Sequence, residues 1–310
     1  MSYTVRIGTR GSQLALWQAH HIKNKIEQTF ETAQVEIITI KTTGDRITDR
    51  PLAMVGGKGL FVKEIENALL ENRIDLAVHS MKDMPGELPP GLIIGAVPER
   101  ENPFDVLISR DGKQFKDYTQ GAIIGTSSLR RGSQIKHLRP DLEIKSIRGN
   151  LDTRLKKLKS GEYDAIVLAA AGLHRLGQKK EISQYLTEEM MVPAVGQGAL
   201  CIEVRENDPM VAPVMEALDH APTRICVKGE RAFLKKIEGS CHIPVACFGK
   251  LVHENIILTA IVASQDGSEI LRESITAQAE NVTIKGEELA KQLLEKGGKR
   301  ILERLNSNES

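Results

Sequence analysis

The sequence predicts an α/β protein with two lobes, each built on a mixed, mostly parallel β-sheet, followed by a separate α+β domain with a small antiparallel sheet. Over the first two thirds of the chain, short β-branched runs alternate with amphipathic stretches, which is typical of strands joined by crossover helices. The alternation restarts after residues 98–103 and so indicates a second lobe. Beyond residue 221, strand-like runs follow one another, which favours an antiparallel sheet.

Individual elements follow from the spacing of apolar residues. Ala15, Ala19, Ile22 and Ile26 recur at intervals of three and four, which predicts a helix with one apolar face. A run at 199–204 reads as a strand that returns to the first lobe. The final helix is expected to carry Leu289, Leu293, Ile301 and Leu305. The other predicted strands are 4–8, 35–41, 74–78, 92–97, 106–109, 123–126, 144–148, 165–169, 244–252, 256–264 and 269–277.

Composition and charge restrict the class of protein. An apolar share of 41% and a charged share of 27% predict a packed interior for all 310 residues. Residues 1–30 lack the pattern of a secretory signal, and no window has the roughly 20 consecutive apolar residues that span a bilayer. We therefore expect a cytoplasmic protein.

The net charge of +1 hides a local positive field at residues 130–159, where ten basic residues face three acidic ones, a net charge of +7. Nucleic-acid binding is one interpretation of this segment. Asp141, Glu143 and the predicted strand at 144–148 interrupt the basic stripe, however, and the chain has few aromatic residues for stacking on bases. An acidic small molecule is the other interpretation.

Two motifs place polar residues at strand ends. The first, Asp75-Leu-Ala-Val-His-Ser-Met-Lys-Asp-Met-Pro85, ends a buried strand at His79 and delivers Lys82 and Asp83 to the sheet edge where α/β proteins bind ligands. A solvated turn is the alternative. The second, Gly125-Thr-Ser-Ser-Leu-Arg-Arg131, predicts a helix start that either binds an anion or is simply capped. Arginines there oppose the helix dipole, a conflict that a bound anion would relieve.

The four cysteines divide into two groups. Cys201, Cys226 and Cys247 lie in apolar runs and are expected to be packing residues. Cys241 lies in a predicted loop and is either a nucleophile or an inert thiol. No CxxC or paired histidine motif accompanies them, so we expect no metal site.

Seven motifs taken in order resemble the hydroxymethylbilane synthase (porphobilinogen deaminase) family through about residue 260. The resemblance implies two lobes similar to periplasmic binding proteins, with the active site in the cleft, and a third domain whose loop carries the cofactor. It places lobe 1 at 1–98 and 199–216, lobe 2 at 104–192 and the C-terminal domain at 221–310. The motifs begin at Ile7, Val55, Val78, Gly125, Ile147, Val192 and Glu238.

The resemblance also implies a function, the stepwise condensation of four porphobilinogen molecules with release of ammonia, followed by hydrolytic release of hydroxymethylbilane. It identifies Cys241 as the thioether attachment of a dipyrromethane cofactor and Asp83 as the catalytic carboxylate. The implied cofactor-binding residues are Lys82, Thr126, Ser128, Arg130 and Arg131, and the implied substrate-binding residues are Arg10, Ser12, Arg148, Arg154 and Arg175. Met54 and Ser240 depart from the lysine and glycine that many members have at these positions.

A non-catalytic, two-lobed anion-binding protein is the main alternative function. The lobe pattern and the basic segment favour it, whereas the missing secretory signal argues against it. For the enzyme, we expect a monomer that binds porphobilinogen and neither nucleic acid nor a membrane.

Overall fold

A computed structural model describes residues 3–46, 60–237 and 243–307. The chain folds into two compact units, the first comprising Met1–Glu101 with Ala199–Arg224 and the second comprising Asn102–Gly198 with Ile225–Ser310. The three-domain division stays a prediction. Among the described residues, the strands are β1 Tyr3–Thr9, β2 Ala33–Thr39, β3 Leu76–Ser80, β4 Leu92–Ala96, β5 Asp105–Ser109, β6 Ile123–Gly125, β7 Glu143–Lys145, β8 Ala165–Ala169, β9 Gln184–Leu186, β10 Leu200–Arg205, β11 Val245–Val252, β12 Asn255–Ala263 and β13 Ile270–Ala277.

Helices connect these strands, and short 3₁₀ turns occur at Met81–Asp83, Phe115–Asp117, Lys179–Glu181 and Ala279–Asn281. The described α-helices are α1 Gln13–Thr29, α2 Thr43–Arg46, α3 Lys63–Leu70, α4 Leu129–Leu138, α5 Leu151–Lys159, α6 Ala170–Arg175, α7 Ala212–Leu218, α8 Ala221–Lys236, α9 Val282–Leu293 and α10 Lys299–Ser307.

The first unit is built on a five-stranded sheet in the order β2-β1-β3-β10-β4. β1 runs parallel to β2 and β3, whereas β10 is antiparallel to both of its neighbours. Val5 and Ile7 of β1 and Ile22 and Ile26 of α1 are buried in one core. The apolar face predicted for α1 therefore packs on the sheet. β10 returns to this sheet late in the chain, as its sequence suggested.

The second unit contains two sheets. One has the order β7-β6-β8-β5-β9, with β6 parallel to β7 and β8 and with β5 antiparallel to β8 and β9. The other is the antiparallel sheet β11-β12-β13, and α9 packs on it through Leu289 and Leu293. The predicted fold class, two mixed sheets and a small antiparallel sheet in an α/β protein, is confirmed.

Three details differ from the sequence prediction. The final helix is divided, because Gly297 has a φ of 118° inside a π-helical turn at Leu294–Gly298, and this breaks the helix between α9 and α10. The strand predicted at 144–148 is only Glu143–Lys145. The sequence prediction missed β9, which is three residues long and has an exposed Tyr185 at its centre.

Candidate active site

A pocket opens at the carboxyl end of β3 in the first unit. It lies between the start of α1, the start of α3 and the end of the strand. Its lining combines a carboxylate, a guanidinium, an imidazole and hydroxyl groups with apolar side chains. The lining residues are Arg10, Ser12, Leu14, Ala15, Gln18, Phe61, Val62, Val78, His79, Ser80 and Asp83.

Asp83 reaches this pocket from the 3₁₀ turn that follows β3. Met81 is buried and anchors the turn, and its backbone N–H donates to the Ala199 carbonyl at 3.0 Å. The anchored turn leaves Lys82 half-buried and Asp83 exposed at the pocket wall. The prediction that a strand end delivers these two residues to the sheet edge is confirmed, while their roles stay predictions.

Arg10 and Ser12 line the same pocket from the β1–α1 connection. Ser12 caps α1, since its Oγ accepts from the Ala15 N–H at 3.3 Å. The Arg10 guanidinium lies over the Phe61 ring, 4.1 Å from its centroid, and Arg10 Nε donates to Asp45 Oδ1 at 3.1 Å. Burial disfavours ionised Asp45, but hydrogen bonds from Arg10 and Thr42 outweigh burial and lower the pKa of this carboxyl. Arg10 is thus paired with a carboxylate at the pocket wall.

The helix start in the second unit is capped as the sequence suggested. Ser128 is the N-cap of α4, and its Oγ accepts from the Arg131 N–H at 3.4 Å. Thr126, two residues earlier, is buried, and its Oγ1 accepts from the Ser128 N–H at 3.2 Å. The hydroxyl groups therefore satisfy local backbone donors at the helix start.

Arg130 and Arg131 share one buried carboxylate. Arg130 Nη1 and Nη2 bind Asp105 at 2.8 and 3.1 Å, and Arg131 Nε binds it at 2.8 Å. Further bonds run from Arg130 to the Val192 carbonyl and from Arg131 to the Val167 carbonyl. Asp105, which the sequence analysis missed, supplies an anion that relieves the conflict with the helix dipole. Two guanidinium groups against one carboxylate still leave a positive charge.

Arg148 and Arg154 add to this positive charge. Arg154 Nε donates to the Gly149 carbonyl at 2.9 Å beside the start of α5, which Asn150 caps. Burial lowers the pKa of Arg154 to about 10, and repulsion from Arg131 and Arg148 acts in the same direction. Arg131 and Arg148 are therefore close enough to disfavour the charged form of Arg154.

The remaining predicted residues have separate positions. Arg175, at the end of α6, is buried and its Nη2 donates to the Gly198 carbonyl at 2.7 Å. Cys201, Cys226 and Cys247 are buried, which confirms their prediction as packing residues. Cys241 lies outside the described residues, as do Met54 and Ser240.

The chemistry of these groups fits an acidic ligand. Arginine binds carboxylates bidentately and keeps its charge, and a group of arginines that repel one another gains most from an added carboxylate. A dipyrromethane carries acetate and propionate side chains and would supply such groups to Arg130 and Arg131. An exposed carboxylate at a pocket of the first unit and a group of arginines in the second unit are the side chains expected of an enzyme that acts on a polycarboxylate substrate.

Comparisons with known proteins agree with this class. Residues 5–213 match the dipyrromethane cofactor-binding domain of porphobilinogen deaminase, and residues 224–295 match its C-terminal domain. Porphobilinogen deaminases of Alkaliphilus metalliredigens and Syntrophobacter fumaroxidans are each 48% identical over 98% and 97% of this chain and over 96% and 97% of their own lengths. The chain belongs to the porphobilinogen deaminase (hydroxymethylbilane synthase) family.

This membership supports the enzyme and not the anion-binding alternative.

Among solved structures, one similar chain is the substrate-binding domain of a putative molybdenum ABC transporter from Clostridium difficile. The match covers 69% of this chain and 90% of that chain, at 11% sequence identity and a TM-score of 0.42. No helix in the described part of the chain has the length and apolarity to cross a membrane.

Proposed function

We propose that this chain condenses porphobilinogen units with Asp83 as the catalytic carboxylate. The observation that carries the proposal is the position of Asp83 at the wall of a pocket that Arg10 and Ser12 also line. Loss of ammonia from porphobilinogen leaves positive charge on the substrate ring. A carboxylate stabilises that charge and exchanges protons with the departing amine, and each effect contributes roughly 10² to 10⁴ in rate.

Basic residues hold the carboxylate side chains in this proposal. Lys82, Thr126, Ser128, Arg130 and Arg131 bind the cofactor, whose thioether is formed by Cys241. When bound, the dipyrromethane supplies the pyrrole carbon on which the chain is extended. Arg10, Ser12, Arg148, Arg154 and Arg175 bind the side chains of the substrate. Surplus charge around Arg154 supports this assignment, because added carboxylates relieve its repulsion.

We further propose that the chain acts as a cytoplasmic monomer and binds no nucleic acid. Size-exclusion chromatography with light scattering tests the monomer, and a gel-shift assay at low salt tests the second point. A stable dimer or a shifted nucleic acid would overturn the respective part.

Incubation of the purified chain with porphobilinogen tests the reaction itself. We expect ammonia and a linear tetrapyrrole in a ratio of about four to one, as four condensations per product require. Binding of porphobilinogen without consumption would instead favour the anion-binding alternative. Asp83→Asn should lose this turnover, and Asp117→Asn is its matched control, since Asp117 is also the exposed last residue of a 3₁₀ turn.

A further inference from the structure

Three buried titratable groups lie beneath the pocket of the first unit, and the proposed mechanism does not use them. His79, on β3, lines the pocket, and its Nε2 lies 3.0 Å from Oε2 of Glu203 on β10. Glu66 lies on α3, one turn after the pocket residue Val62. Exposed fractions are 5% for His79, 0% for Glu203 and 6% for Glu66. All three groups are thus shielded from solvent.

The hydrogen bonds among these groups are incomplete. Within the described ranges, neither Oε1 of Glu66 nor Oε1 of Glu203 has a hydrogen-bond partner. A buried ionised carboxylate without a partner is costly, so such groups take up a proton or share one. Burial raises the pKa of Glu66 to about 7, and the charge of Glu203 acts in the same direction while His79 opposes it.

Apart from Glu203, the charged side chains on the strands that pack against α3 pair with Asp75. The helix packs against β1, β3, β4 and β10. Of the charged residues on those strands, Arg6 and Arg205 both pair with Asp75, at 2.6 and 3.6 Å. Cys201, a buried thiol, lies opposite His79 in the register of β3 and β10. Glu66 therefore interacts mainly with His79 and Glu203.

We propose that Glu66, which carries a proton, and the hydrogen-bonded pair of His79 and Glu203 form a buried positioning triad that sets the charge beneath the Asp83 pocket. His79 connects Glu203 to the pocket, because it both contacts Glu203 and lines the wall. Loss of the proton of Glu66 makes the floor more negative. This stabilises positive charge in the pocket, so turnover rises with pH.

The inference rests on the proposed function, and the experiment separates the two. Infrared spectroscopy of the full holoenzyme follows the carbonyl stretch of protonated carboxylic acid between pH 6 and pH 8, and kcat and KM for porphobilinogen are measured over the same range. As pH rises from 6 to 8, we expect the wild type to lose a protonated carboxyl signal and kcat to increase roughly threefold to tenfold. The increase is expected because a buried negative charge stabilises the nearby reacting cation.

Glu66→Gln is expected to abolish both the infrared change and the rise in kcat while KM stays unchanged. Glu71→Gln is the control, since Glu71 ends the same helix but is exposed and pairs with Arg73. In Glu203→Gln, the infrared change should move to lower pH because the repelling charge is gone. This variant also tests the triad if Glu66→Gln does not fold.

Retention of the infrared signal or of the kcat inflection in Glu66→Gln would overturn the triad, as would an unmoved midpoint in Glu203→Gln. Absence of turnover in every variant would overturn the proposed function and, with it, the role in turnover. The infrared signal would still show whether Glu66 carries a proton between pH 6 and pH 8.

Discussion

The two units collect different kinds of charged side chain. Around the pocket of the first unit lie the carboxyl groups of Glu66, Glu203 and Asp83, and Arg10 at the pocket wall is paired with Asp45. In the second unit, Arg130 and Arg131 bind Asp105, and the charges of Arg131 and Arg148 repel that of Arg154. The carboxyl groups of the first unit suit proton exchange and the stabilisation of cations, while the arginines of the second unit suit carboxylate binding.

This contrast teaches that one carboxylate can have different effects in the two regions. In the second unit, Asp105 makes two buried guanidinium groups tolerable and is expected to be structural. In the first unit, Asp83 is exposed at the wall of a pocket instead of buried between guanidinium groups. Substitutions of these two residues should therefore separate stability from catalysis.

Asp105→Asn should have the largest effect on stability. The change leaves Arg130 and Arg131 buried without their shared charge, which is expected to lower the free energy of unfolding by about 3–5 kcal/mol. Denaturant unfolding measures it. Asp111→Asn, which removes an exposed pair with Lys113, is the control and should change little. Equal stability of the two variants would contradict the structural role.

Asp83→Asn should have the converse effect. The amide keeps the shape of the side chain but removes its charge and its exchangeable proton. Folding and cofactor should be retained, while kcat falls at least about a hundredfold, or roughly 2.7 kcal/mol. Steady-state kinetics and intact mass on the same sample check this. Near-normal turnover would move the catalytic role to another residue.

Arg175→Leu tests whether the arginines act at different steps, because Arg175 lies at the end of α6, outside the 125–131 motif, and donates to the Gly198 carbonyl. Loss of one charge-assisted contact costs about 1.5–3 kcal/mol and slows one step roughly tenfold to a hundredfold. Under limiting time, mass spectrometry should show enzyme carrying one to three added units. Arg110→Leu, which removes an exposed pair with Asp164, is the control. Uniform slowing without these species would contradict the assignment.

The smallest expected effect is the contribution of Glu66 to the pH dependence of stability. Its pKa is raised from 4.5 to about 7, so the folded state binds more protons in this interval and stability falls as pH rises through it. Between pH 5 and pH 7, the titration of Glu66 is expected to lower the free energy of unfolding of the wild type by about 2 kcal/mol. Glu66→Gln should remove this part of the decrease, as measured by denaturant unfolding at both pH values. The same slope in both proteins would show that Glu66 is not the titrating group.

Sequence patterns predicted those parts of the fold that depend on local spacing. β-branched runs predicted most strands, and Ser128 was expected at a helix start because its motif places hydroxyl residues at the end of a predicted strand. The partners of the site residues could not be predicted in this way. Asp105 meets Arg130 and Arg131 only because β5 lies two strands from β6, and no local pattern encodes that adjacency.

The same limit applies to the triad in the first unit. Glu66 and Glu203 are separated by more than a hundred positions, and β10 enters the sheet beside β3 through a late return of the chain. The sequence spacing of Glu66 and Glu203 does not indicate that they lie in one cluster. Only the structure shows that both carboxyl groups are buried near His79. Gly297 was visible in the sequence, but a glycine inside an apolar helical pattern does not by itself show a break.

The covalent attachment of a polycarboxylate cofactor to this chain is the central claim, and intact mass measures it most directly. The purified wild type should exceed the mass of its chain by two porphobilinogen units, each less ammonia. Cys241→Ser should show the mass of the chain alone. An unmodified wild-type chain that turns over porphobilinogen, or an increment that survives Cys241→Ser, would contradict the account.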